Sequence, residues 1–219
     1  MSGLTSLQEF SIWALPVLFA VTLHEVAHGW MAKRLGDPTA QRLGRLSLNP
    51  IKHIDPIGTV LIPGLLILMG TGFIFGWAKP VPITWSNLRK PRRDMALVAL
   101  AGPGANLFMA ILWALVRWLA AYLPAAWGWA ATPLALMGAA GIGINIVLMV
   151  LNLLPLPPLD GSRIVTGLLP NRLAWSYSRI EPYGLWILLL LVGTGALGWI
   201  LAPPVSILQK IMFSLSKAG

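Results

Sequence analysis

The 219-residue chain contains no cysteine, which excludes a disulfide framework, a thiolate metal site and a cysteine nucleophile. Any metal must therefore bind through histidine, carboxylate or other oxygen and nitrogen ligands. Charge is scarce too. Asp, Glu, Lys and Arg make up 11% of the chain and only seven residues are acidic, whereas a soluble domain carries roughly 25% charged residues. With 57% hydrophobic residues and a mean hydropathy of +0.75, the composition leaves almost nothing for a water-soluble domain and points to an all-α polytopic membrane protein. Met1 to Phe10 lacks Lys and Arg, so the first apolar run does not have the basic start of a secretory signal and is read as mature structure. There is no internal repeat and no low-complexity tract.

What the chain has is apolar runs. Those near residues 11–32, 56–76, 95–120, 132–154 and 183–202 each approach the roughly 20 residues that cross a bilayer. The net charge of +9 comes from 16 basic residues concentrated beside these runs, which is how inside loops are marked. This accounts for the basic excess without nucleic acid. Lys33, Arg34, Arg42, Arg45 and Lys52 occupy one flank, and Lys79, Arg89, Lys90, Arg92 and Arg93 another. Both are expected on the cytoplasmic side, as is 155–182, while the uncharged 121–131 suits the far side. Trp77 and Trp85 on one set of loops, and Trp127, Trp129 and Tyr122 on the other, fit interfacial belts.

Segment 56–76 raises a parity problem, because one crossing there would put two basic flanks on opposite faces. Pro63 and Gly64 near its middle can break a helix, so a re-entrant or broken segment is expected; re-entry is tolerated where the backbone is buried in protein. Between Gly36 and Pro50 polar and apolar residues alternate between turn formers, which predicts a short β-hairpin or edge strand. In 203–219, Val205, Leu208, Met212 and Leu215 recur at near-helical spacing, as in an interfacial amphipathic helix.

Chemistry enters in the first run, where Leu23-His24-Glu25-Val26-Ala27-His28 is an H-E-x-x-H sequence. His24 and His28 lie about 40° apart around a helix and about 6 Å along it, so both imidazoles can grip one ion. Glu25 is placed to act as a base toward water, whose pKa a zinc ion lowers to about 7. A carboxylate inside a span costs roughly 3 kcal/mol unless it faces a cavity or partner, which favours a functional reading over a structural one.

A third protein ligand is needed, with one position left open. His53, Asp37, Asp55, Asp94, Asp160 and Glu181 are the candidates, apart from the terminal Glu9. Glu181 sits in Arg-Ile-Glu-Pro without a matching motif. Asp160 follows an apolar helix that Pro155, Pro157 and Pro158 unwind. Spacing alone leaves two readings of it, metal ligand or cap of the short helix that begins there.

Three motifs together resemble the site-2 proteases, a family of intramembrane zinc metalloproteases. They are His24-Glu25-Val-Ala-His28, Ala101-Gly-Pro-Gly-Ala-Asn106, and Asn152 to Gly161 as N-x-x-P-x-P-P-L-D-G. The resemblance covers nearly the whole chain. No loop is long enough for a PDZ or cystathionine-synthase-type module, so it is to the compact form of the family. It implies a three-helix catalytic core in which the H-E-x-x-H helix and the helix leading to L-D-G both end toward the cytoplasm. It further implies His24, His28 and Asp160 as ligands of one Zn2+, Glu25 as general base, and Asn152 as substrate-orienting or oxyanion-stabilising donor.

Asn106 beside Gly102, Gly104 and Ala105 also reads as interhelical glue. His53 and Asp55, in Asn49-Pro-Ile-Lys-His-Ile-Asp-Pro, resemble a segment of the compact subgroup and are candidates for contacts around the site or with substrate. Phe75-Gly-Trp-Ala-Lys-Pro-Val-Pro resembles a subgroup signature whose extended form can border the cleft or pair with a substrate strand. The expected reaction is hydrolysis of a peptide bond in or next to a transmembrane segment of a protein substrate. The expected setting is a lipid bilayer, a prokaryotic inner membrane, with the site toward the cytoplasm. A metal-ion transporter and an inactive homologue that binds membrane proteins are the rival readings.

Overall fold

A computed structural model describes residues 4–62, 65 and 78–216. Helix α1 (Ser6–Arg34) opens on a capping box, in which the Thr5 hydroxyl accepts from the Gln8 N–H and the Gln8 side chain accepts from the Thr5 N–H. It closes on Lys33 and Arg34, cations that suit the negative end of the helix dipole. Helix α2 (Thr39–Arg42) is one turn. Helix α3 (Pro91–Ala120) starts with proline in its first turn, where no N–H is needed, and Asp94 reaches back to accept from the Lys90 N–H at 2.8 Å. Helix α4 (Gly128–Asn152), α5 (Asp160–Leu168), α6 (Asn171–Ser178), α7 (Gly184–Gly193) and α8 (Ala196–Leu215) complete the described helices, apart from short 3-10 and π turns.

Helices α1, α3 and α4 pack together as the core, with α8 against α3 and α4. Met109, Ala110 and Trp113 of α3 interlock with Ile142, Ile146 and Met149 of α4, and Leu23 of α1 and Met212 of α8 close the cluster. Among the described residues four helical segments, Leu7–Arg34, Pro91–Ala120, Ala125–Asn152 and Ala196–Leu215, are long and apolar enough to cross a bilayer. The outward faces of α7 and α8 carry exposed Leu190, Trp186 and Trp199, as lipid-facing helices do. The chain is thus a multi-pass membrane protein.

The β-hairpin expected over 36–50 is not there: among the described residues there is no strand. The Asp37 carboxylate accepts from the Thr39 N–H and hydroxyl, starting the turn of α2. The Arg45 N–H then bonds the Ala40 carbonyl (2.8 Å) and the Gly44 N–H the Gln41 carbonyl (2.9 Å), closing that turn as a helix end rather than a ladder. The apolar run 183–202 is divided at Gly195, whose φ of +76° no helix continues through. Residues from 203 onward extend α8 through Pro203 and Pro204, which leave the carbonyls of Trp199 and Ile200 in the first turns of that helix without an i+4 donor.

The re-entry expected of 56–76 lies mostly outside the described residues. Its flanks, however, lie together at one end of the bundle: the Lys79 N–H bonds the His53 carbonyl (2.9 Å) and the Arg89 N–H bonds the Leu35 carbonyl (3.0 Å). The two basic flanks therefore share a face.

Candidate metal centre

Helices α1 and α3 run antiparallel, so residues 24 to 28 of one meet residues 106 to 98 of the other. The His28 Nδ1–H donates to the Val98 carbonyl at 2.7 Å, and the His24 Nδ1–H to Asn106 Oδ1 at 2.7 Å. Each imidazole thus spends its proton on α3 and turns the Nε2 electron pair the other way. This close approach of the rings to α3 requires Gly102, where a Cβ would stand 2.4 Å from His28 Nε2 and 2.6 Å from His24 Cε1.

The third side chain arrives from the unwound stretch after α4. The chain turns back on itself through Leu153 to Leu159, and a Cβ at Gly161 would lie 2.2 Å from the Leu154 carbonyl oxygen. Asp160 opens α5 with its Oδ2 3.2 Å from His24 Nε2 and 3.2 Å from His28 Nε2, while the two Nε2 atoms are 3.0 Å apart. Three lone-pair atoms converge with no proton between the nitrogens, and Asp160 Oδ2 is buried without a hydrogen-bond donor. Donors about 2.0–2.1 Å from a tetrahedral ion stand roughly 3.3–3.4 Å from one another, close to the separations seen. Among the described residues His24, His28 and Asp160 are a group that can hold a metal ion, and a nitrogen–nitrogen–carboxylate set suits zinc.

The group faces a cavity of about 340 Å³ whose wall includes Glu25, Val81, Trp85, Asn152 and Arg163. Glu25 Oε2 accepts from the Val81 N–H at 2.8 Å. Asn152 gives one amide hydrogen to the Leu148 carbonyl at 3.0 Å, and its second amide hydrogen has no acceptor among the described residues. The Arg163 guanidinium carbon lies 4.9 Å from the centre of the Trp85 ring, and its Nη2 lies 3.8 Å from Glu181 Oε1.

Of the other sequence candidates, His53 is buried outside the cavity wall, with Nε2 donating to the Ser47 carbonyl (2.8 Å). Asp55 accepts from the Ile57 and Gly58 N–H groups at the start of the next turn. Neither is brought to the metal group. Asp37, weighed as a ligand, is instead a buried clamp. It accepts from Thr39, from the Thr84 N–H (2.7 Å) and from Asn87 Nδ2 (3.0 Å), tying the strap 78–84 to the end of α1. Sequence reasoning missed the Asp37 clamp and Arg163, which belong to no short motif, whereas Val81 lies in the Phe75-Gly-Trp-Ala-Lys-Pro-Val-Pro segment expected to border the cleft.

Burial alone would raise the Asp37 pKa, but the bonds from Thr39, Asn87 and Thr84 outweigh it and hold the carboxyl below its usual range. A carboxylate so depressed stabilises the fold above its unfolded pKa of about 3.9, and that contribution is lost as pH falls through the lower folded value. The clamp is therefore intact at neutral pH. Asp37→Ala is expected to speed hydrogen exchange at Thr84 by about 10- to 100-fold, since a hydrogen bond to a charged group contributes about 1.5–3 kcal/mol. Exchange at Thr84 unchanged from the parent would remove the clamp.

The chain is similar to proteins provisionally named as zinc metalloproteases. YwhC of Bacillus subtilis is 40% identical over 199 residues, covering 90% of this chain and 86% of that protein. Rip2 of Mycolicibacterium smegmatis is 32% identical over 181 residues, 82% of this chain and 66% of that protein. Rip2 of Mycobacterium tuberculosis is 34% identical over 148 residues, 66% of this chain and 52% of that protein. No family model matches the chain, and no solved structure does.

Proposed function

The chain belongs to the site-2 protease family of zinc metalloproteases, and from that premise we propose that it is a metalloendopeptidase cutting peptide bonds within or next to transmembrane segments. The observation that carries this reading is the convergence of His24 Nε2, His28 Nε2 and Asp160 Oδ2 within 4.8 Å, beside a carboxylate in a cavity among apolar spans.

His24, His28 and Asp160 hold one zinc ion. Bound there, zinc acidifies water and polarises a carbonyl. Glu25 takes the proton of the attacking water and returns it to the leaving amine. Asn152 turns its second amide hydrogen toward the oxygen on which negative charge develops. A helix hides its carbonyls in hydrogen bonds, so the substrate must offer an extended stretch. The strap 78–84 borders the space that stretch would occupy, with Pro80, Val81 and Ile83 in the cavity wall.

The active end of the bundle is the end that carries the basic flanks, which supports an orientation toward the cytoplasm by the positive-inside rule. A transporter would need ligands spaced along a path, whereas these three cluster at one point.

The test uses the full chain in liposomes with a panel of transmembrane peptides. Cleavage should stop on chelation and return with zinc. Zinc-dependent ion flux without cleavage would replace protease by transporter, and peptide binding without either would leave an inactive homologue.

A further inference from the structure

Asn145 sits near the middle of α4, fully buried beside Ile142 and Ile146. An amide in such a place loses its water and survives only if its groups are paired. It is paired into a line that ends on a metal-binding histidine. Asn145 Nδ2 donates to the Gly141 carbonyl (2.8 Å). Asn145 Oδ1 accepts from Asn106 Nδ2 (3.0 Å), which also donates to the Ala20 carbonyl (3.2 Å). Asn106 Oδ1 then accepts from His24 Nδ1 (2.7 Å).

The direction of this line is forced from its two backbone ends. A carbonyl only accepts. Gly141 therefore requires the nitrogen of Asn145 on its side, leaving the Asn145 oxygen toward α3. That oxygen and the Ala20 carbonyl both demand the Asn106 nitrogen, which has two hydrogens to give them. The Asn106 oxygen is left facing His24, and the proton of that ring must lie on Nδ1. Turning either amide over would set oxygen against oxygen in a dry interior. His28 needs no such device, because the Val98 carbonyl makes the choice directly.

We infer that Asn145 is a positioning residue for the metal: it locks the amide of Asn106 and, through it, the tautomer and ring orientation that turn His24 Nε2 toward Asp160. This rests on the zinc reading of the site. Asn145 touches neither metal nor substrate, and its effect passes through Asn106 alone. Groups that hold the far nitrogen of a ligand histidine typically change metal affinity by about 10- to 100-fold.

The test measures zinc affinity of the full chain in detergent by competition with a chromophoric chelator, and the visible spectrum of the cobalt-substituted form. Asn145→Leu is expected to weaken zinc about tenfold and to alter the cobalt bands; Asn145→Ala, which introduces no new bulk, should do the same and decides the matter if the leucine variant does not fold. Asn106→Leu should weaken zinc by about 10- to 100-fold. Adding Asn145→Leu to it should cost nothing further, whereas a purely structural role would make the two losses multiply. Wild-type affinity and spectrum in the Asn145 variants, or multiplying losses, would overturn the inference. If the parent chain itself takes up no zinc, the zinc reading of the site fails first and this inference with it.

Discussion

Glu25→Gln is expected to lower the cleavage rate of a transmembrane peptide by about 10²- to 10⁴-fold, the range for removing a general acid–base group, with zinc content unchanged. Glutamine is nearly the same size, and its carbonyl oxygen can keep the 2.8 Å bond that Glu25 Oε2 accepts from the Val81 N–H. The side chain stays in place and only its basicity is lost. The atoms proposed to hold the metal belong to His24, His28 and Asp160, so metal uptake is not expected to depend on residue 25. Rates measured at saturating peptide, with zinc quantified in the same sample, separate the two effects. Cleavage within tenfold of the parent would take the base role away from Glu25.

The second large effect is expected from a single methyl group. Gly102→Ala places a Cβ 2.4 Å from His28 Nε2 and 2.5 Å from His28 Cε1, far inside van der Waals contact. Neither ring can yield, since each is tied by its Nδ1 to α3 itself. Either α3 moves off α1 or the ligands leave their triangle. Zinc affinity should fall by at least about 100-fold, beyond the effect of losing one group that orients a ligand, and peptide cleavage should fall to background. Alanine favours a helix over glycine by about 1 kcal/mol, so a loss cannot come from the helix itself. Gly104→Ala is the control: a Cβ there meets nothing within 4 Å, and both zinc affinity and cleavage should match the parent. Equal behaviour of the two variants would show that the close approach at Gly102 does not shape the site.

Much of the site was legible along the chain because its chemistry is local in sequence. His24 and His28 share a helix face by their spacing, and a carboxylate in an apolar run had to have a use. Asp160 was ambiguous between cap and ligand for a physical reason: opening a helix and facing a cavity are compatible. The residue opens α5 and still presents Oδ2 to both histidines. The hairpin expected over 36–50 failed because alternation describes side chains, whereas the local backbone was decided by Asp37, which serves Thr39 on one side and the distant Thr84 on the other. Asn106 read as glue between helices, and it is that, but the groups it joins include His24. Asn145 carried no motif at all; a polar residue within an otherwise apolar stretch was its one signal.

The sequence by itself determined the bilayer, the basic face, the pair of histidines and the carboxylate between them, since each follows from composition or from spacing within one helix. Tertiary structure decided which carboxylate completes the triad, which carbonyl or amide holds each imidazole, and that a glycine must lie beneath the rings. Those choices depend on where α3, α4 and the strap cross α1. Residues 70 or 80 positions apart become neighbours only when the helices pack, and no local pattern records that crossing.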